Sequence, residues 1–127
     1  MNQGKKNVLS KLYYLYKLKK LSYKTGFQIP PYTCGKGLTI WHWGPIIINA
    51  NARIGNFCTI QPMVVIGHKR EGGGAPIVGD NCIIGAGARI IGDIKIGNRV
   101  QIAPNAVVVK NLPDDAVVGG VPSRLLK

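Results

Sequence analysis

The stretch from Ile84 to Ile102, Ile84-Gly-Ala-Gly-Ala88-Arg-Ile90-Ile-Gly-Asp-Ile94-Lys-Ile96-Gly-Asn-Arg-Val100-Gln-Ile102, places an aliphatic residue at every sixth position. The same beat runs back through Val78, Ile66, Ile60 and Ile54 to Ile48, and forward to Val108. Four residues after most of these stands a small or medium side chain: Ala52, Cys58, Val64, Cys82, Ala88, Ile94, Val100 and Ala106. A helix repeats every 3.6 residues and a strand every 2, so neither produces this period. A parallel β-helix does, because each hexad makes one flat side and one turn, and three hexads close a triangular coil. The aliphatic points inward and stacks on its equivalents one strand spacing away, about 4.8 Å. Gly55-Asn56, Gly79-Asp80-Asn81 and Gly97-Asn98 fall at the turns, where tight or left-handed backbone is needed. The expected fold is an all-β solenoid, a parallel β-helix over residues 27–110. It is preceded by a basic helical segment (1–26) and followed by a tail (111–127).

The chain has 127 residues, 46% of them hydrophobic, enough for one domain. Lys and Arg outnumber Asp and Glu 17 to 5, giving a net charge of +12. Such an excess favours an anionic partner. The lysines gather at one end and no nucleic-acid motif accompanies them, so a nucleic-acid partner is not expected. Three cysteines, an odd number, do not suggest a disulfide framework. Cys58 and Cys82 are 24 residues apart, four hexads, and are expected on different sides of the triangle. No signal-peptide pattern or membrane-length apolar run is present, which fits a reducing cytoplasm.

Residues 7–24 read as a helix, with Val8, Leu12, Leu15 and Leu18 in one stripe and Lys5, Lys6, Lys11, Lys17, Lys19, Lys20 and Lys24 around it. It is expected to cover the open first coil. A peripheral contact of residues 5–24 with acidic lipid at the inner face of the membrane is compatible with that. Two departures interrupt the beat. Ile40 to Ile48 spans eight residues, so two extra residues bulge the wall around Trp41-His42-Trp43-Gly44-Pro45. Residues 67–77 lack the aliphatic expected at Gly72 and read as a Gly-rich loop that returns in register, bordering a binding surface.

The chemistry available is narrow. His42 and His68 are the chain's two histidines. An imidazole near neutrality is the natural general base for a hydroxyl, and the bulge singles out His42. No metal site is expected, since zinc needs about three His or Cys ligands with suitable geometry. Nor is there a Ser-His-Asp pattern or a carboxylate pair. Transfer of an acyl group from a thioester to a hydroxyl needs less: one base, hydrogen-bond donors for the oxyanion, and a groove that aligns the two substrates.

Ile40-Trp-His-Trp-Gly-Pro-Ile-Ile-Ile48, Ile84-Gly-Ala-Gly-Ala-Arg-Ile-Ile-Gly92 and Gly119-Gly-Val-Pro-Ser-Arg124 resemble the hexapeptide-repeat acyltransferases. The resemblance is to their serine O-acetyltransferase branch and its short relatives in polysaccharide synthesis. It implies a left-handed β-helix, a homotrimer, and acetyl-CoA in a groove between coils. His42 falls on the catalytic histidine. Gly67, Ala86, Gly87, Ala103 and Pro104 fall on the CoA wall, and Lys110 and Arg124 are contacts for CoA phosphates. Two departures concern the acceptor: Phe27 stands where serine acetyltransferases have an Asp that orients the base, and Ala75 stands where they have a second histidine. The expected activity is therefore O-acetylation of a sugar hydroxyl, with Trp41 and Trp43 as stacking faces and His68 at the substrate. The alternatives are a reduced serine O-acetyltransferase and a non-enzymatic scaffold or membrane-surface binding module.

Overall fold

The computed structural model describes residues 3–127, with side chains from residue 7 onward, so Lys5 and Lys6 are described in backbone only. The chain winds as a three-sided parallel β-helix. Its first face stacks Phe27–Gln28, Ile46–Ile48, Val65–Gly67, Arg89–Ile91 and Val107–Val108. The second stacks Arg53–Ile54, Ile77–Val78 and Lys95–Ile96. The third stacks Thr59–Ile60, Ile83–Ile84, Gln101–Ile102 and Val117–Gly119. Most of these short strands send one aliphatic inward; Ile46–Ile48 sends two. Ile48, Ile66, Ile90 and Val108 form one buried ladder, Ile54, Val78 and Ile96 the next, and Ile60, Ile84, Ile102 and Val118 the third. The small residues Ala52, Cys58, Cys82, Ala88 and Ala106 fill the inner corners and are buried too.

One corner shows how the turns are locked. Asn56 accepts from the Lys36 N–H, Asp80 from the Asn56 N–H, Asn98 from the Asp80 N–H, and Asp114 from the Asn98 N–H, all between 2.7 and 3.0 Å. Each side-chain oxygen satisfies a backbone donor that the corner withdraws from the sheets. Arg99 and Asp115 pair beside this column at 2.7 Å on the solvent side.

The 67–77 excursion changes the coil count. Val65 pairs with Arg89 and Thr59 with Ile83, steps of 24 residues, whereas Arg89 pairs with Val107 after 18. One hexad's length of chain is therefore spent outside the wall. Cys58 and Cys82 consequently lie on the same face in adjacent coils, contrary to the expectation from their spacing. Both are free thiols. Cys58 donates to the Gly79 carbonyl at 3.2 Å and Cys82 to the Gly97 carbonyl at 3.1 Å. The neighbouring Cys58 sulfur, together with burial, pushes the Cys82 thiol above its ordinary range.

Both ends also differ from the expected boundaries. The coil continues past residue 110: Leu112 bridges Ile96, and Val117–Gly119 pairs with Gln101–Ile102, with Ala116 and Val118 buried. The chain then doubles back, and Arg124–Leu125 runs antiparallel to Val117–Gly119. At the other end the helix spans Gln3–Thr25. Gly26 stops it at φ 77°, donating its N–H back to the Ser22 carbonyl. Leu15 and Leu18 face Phe27, Ile29 and Pro30 of the first coil across a cleft. Leu9, Leu12, Tyr13 and Tyr16 are all more than half exposed. Among the described residues no helix is long and apolar enough to cross a membrane.

Candidate active site

His42 lies on the corner that joins the third face to the first. Thr39 bridges Thr59, while Ile47 pairs with Val65, so eight residues span a distance that six span one coil on. The two surplus residues push Trp41–Pro45 out of the wall, and Trp41, His42 and Trp43 are exposed, the tryptophans to 70% and 90%. The Met63 N–H donates to the Pro45 carbonyl at 2.7 Å and fastens the end of the bulge to the next coil. Phe27, half-buried and paired with Ile46, packs on the core beside this bulge.

Beneath the bulge the same corner descends through Pro62-Met63, Ala86-Gly87 and Pro104-Asn105. The Gly87 N–H donates to the Pro62 carbonyl and the Asn105 N–H to the Ala86 carbonyl, both at 2.9 Å. Small residues are required here: a Cβ on Gly85 would stand 2.6 Å from the Pro104 nitrogen. Ala86, Gly87, Ala103 and Pro104 thus form one smooth edge in line with His42. The sequence reading missed Pro62, Met63 and Asn105, which complete that edge.

Gly67, His68 and Lys110 lie on the opposite edge of the first face. Gly67 accepts from the Gly92 N–H at 2.9 Å, and a Cβ there would have only Ile91 as near as 4.0 Å, so the wall is open beside it. The excursion leaves at His68 and returns at Gly74, against the Asp93 side chain, with Ala75 buried behind it. Lys110 and Arg124 come together, lining a cleft of about 360 Å³ with Ser123 and Pro122. From Gly44 to Asn49 the face is at most roughly 16 Å wide at about 3.3 Å per residue. One chain therefore holds the expected residues in two groups on two edges. Among the described residues, no three His, Cys, Asp or Glu side chains are grouped to hold a metal ion.

Residues 75–110 match the bacterial transferase hexapeptide family (six repeats). The serine acetyltransferase of Mycobacterium tuberculosis is 43% identical over 105 residues, 80% of this chain and 46% of that protein. The crystal structure of Neisseria gonorrhoeae serine acetyltransferase superposes with a TM-score of 0.78 at 33% identity, over 86% of this chain and 43% of that one. This chain belongs to the hexapeptide-repeat transferases. Its coil is accordingly the left-handed parallel β-helix of the serine acetyltransferase branch. A serine acetyltransferase structure in complex with CoA superposes with a TM-score of 0.81 at 30% identity, over 94% of this chain and 50% of that one. The chain spans about half the length of the curated relatives it matches.

The residues present fit a long, phosphate-bearing thioester. Ala86, Gly87 and Ala103 on one edge, and Gly67 on the other, present no large side chain to block an extended ligand. Lys110 and Arg124, which line one cleft, are cations of the kind that suit phosphates.

Proposed function

We propose that this chain is an acetyl-CoA-dependent O-acetyltransferase with His42 as its general base. The observation that carries this reading is an exposed imidazole raised on a bulge directly over an edge of small residues, in a chain akin to serine acetyltransferases. The acceptor hydroxyl gives its proton to His42 as its oxygen bonds to the acyl carbon. The imidazolium then returns that proton to the departing thiolate. Acetyl-CoA supplies the acyl group; Lys110 and Arg124 hold its phosphates. Because the two groups of residues sit on opposite edges, the reading includes a homotrimer in which the His42 edge of one copy faces the Gly67 edge of its neighbour.

For the acceptor, the relatives favour L-serine, the alternative in the sequence reading. They give no support to the sugar acceptor and polysaccharide role placed first there. The observation that keeps a sugar as second reading is the pair of exposed tryptophans flanking His42, with Phe27 and Ala75 lacking the polar groups an amino acid would engage. Rates of CoA release with L-serine and with nucleotide- or lipid-linked sugars separate the two. Saturation by L-serine is expected; turnover with a sugar and none with serine reverses the order.

The helix belongs to the same proposal as a membrane contact. Leu9, Leu12, Tyr13 and Tyr16 follow an i, i+3, i+4, i+7 stripe turned away from the coil, Lys17, Lys20 and Lys24 border it, and the helix has no acidic residue. The absence of acidic residues makes self-pairing of such helices repulsive and an anionic lipid surface attractive. Co-sedimentation with phosphatidylcholine vesicles containing phosphatidylglycerol is expected at low salt, fading at high salt. The Leu9→Ser, Leu12→Ser double variant should also lose it. Failure to sediment with these vesicles at low salt removes the contact.

A further inference from the structure

We infer that His68 is a second catalytic residue of the proposed acetyl transfer. It would act as a hydrogen-bond donor to the thioester oxygen as that oxygen gains charge, and Asn49 would be the residue that positions it. The inference rests on the proposed function and adds a role that His42 cannot fill.

The orientation of the Asn49 amide is fixed by its partners. The Asn49 Oδ1 accepts from the Asn51 N–H at 2.8 Å. A backbone N–H can only donate, so the oxygen must lie on that side and the Asn49 Nδ2 on the other. That nitrogen meets the His68 Nδ1 at 2.6 Å. An amide NH2 has no lone pair to offer, so Nδ1 must accept, and a neutral His68 ring carries its hydrogen on Nε2. Its one lone pair is occupied, leaving the free edge of the ring as a donor. A neutral histidine held in this way has no free lone pair and one free N–H. His42, exposed on its bulge, is available for the base role, so hydrogen-bond state alone separates the duties of the two histidines.

The location supports the assignment. His68 follows Gly67, where the wall is open, and projects into solvent at the edge that must face a neighbouring copy's His42 if both edges line one cleft. It also stands where the excursion departs, next to Lys69, which lines one cleft with Gly74 where the chain returns. Ala75 carries no polar side-chain atom, and His68 presents an N–H on a side chain that Asn49 holds in place. In the reaction, the acceptor oxygen bonds to the acyl carbon and its proton goes to His42. The carbonyl electron pair moves onto the oxygen facing His68 Nε2–H. It returns as the carbon–sulfur bond breaks and the thiolate recovers the proton. His68 neither gains nor loses a proton.

The test combines nitrogen NMR with kinetics. In the unliganded chain the neutral His68 ring is expected as the Nε2–H tautomer. Asn49→Asp keeps an acceptor for the Asn51 N–H but sets a carboxylate oxygen against Nδ1. At about pH 9, well above the ordinary imidazole range, the proton of the neutral ring should then move to Nδ1. His68→Ala and Asn49→Asp are each expected to lower kcat by roughly 10²–10³-fold, the loss typical of one oxyanion donor, with KM for acetyl-CoA little changed. His68→Gln places an amide N–H near the position of Nε2 and should recover part of the rate. A wild-type ring in the Nδ1–H form, or an undiminished kcat in His68→Ala while the wild type is active, overturns the inference alone. A wild type that transfers no acetyl group overturns the proposed function and this role with it.

Discussion

His42→Ala is expected to lower kcat for acetyl transfer by roughly 10²–10⁴-fold, the range for loss of a general base, while CoA still binds. The separation of the two effects follows from the layout of the wall. His42 sits on Trp41–Pro45, outside the sheets, and no strand pairing depends on its side chain. The residues suited to CoA are the small edge below it and the Lys110–Arg124 cleft at the far end of the coil. Truncating the imidazole removes the proton acceptor and leaves those surfaces as they were. His42→Gln should be as inactive as His42→Ala, because an amide has the size and polarity of the ring but cannot take up a proton. Steady-state kinetics with thiol release, alongside calorimetric titration of CoA, reads both quantities. Normal turnover in either variant would remove the base. Absence of CoA binding in the wild type together with indifference to His42→Ala would favour the scaffold reading.

The inner ladders were legible because a six-residue aliphatic period has few physical solutions, and Ile48 to Val108 held one phase. The bulge at His42 was legible for the same reason: eight residues where six were due must put two outside the wall. Phase failed where the chain left the wall by a whole hexad. Residues 67–77 keep the aliphatic beat from Ile66 to Val78, so a side of the triangle and an excursion of equal length read alike. That ambiguity put Cys58 and Cys82 on different faces in the sequence reading. It also hid the division of the site, since whether Gly67 and Ala86 share an edge depends on counting coils correctly. The tail misled in the opposite sense. Ile102 to Val118 is a shortened step, which a strict count of six reads as the end of the coil although the ladder continues. Asn49 gave no signal at all, because an asparagine after a strand looks the same whether it closes a corner, as Asn98 does, or holds a histidine.

Ile84→Ala is expected to destabilise the fold by about 2–5 kcal/mol, the range for deleting a buried Ile side chain and leaving a cavity. Ile84 is fully buried, with Ile60 on one side and Ile102 on the other in the same ladder. A bundle of helices can shift to fill such a gap. This coil resists doing so, because its rungs are tied on both sides of the position: the Ile83 N–H donates to Val100 and the Gly85 N–H to Ile102, at 2.9 and 2.8 Å. A Cβ on Gly85 would strike the Pro104 backbone of the next coil, so the two rungs are already closely stacked there. Little collapse means that most of the cavity cost should remain, toward the upper part of the range. Ile84→Val, which removes one methylene, is expected to cost about 0.5–1.5 kcal/mol. Because each coil touches only its neighbours, a central defect also weakens the coupling between the two ends, and the unfolding transition should broaden as well as shift. Urea denaturation followed by circular dichroism, at one fixed protein concentration so that any assembly contributes equally, measures both effects. A cost below about 1 kcal/mol for Ile84→Ala would mean that the stacked aliphatics are not what holds the coils together.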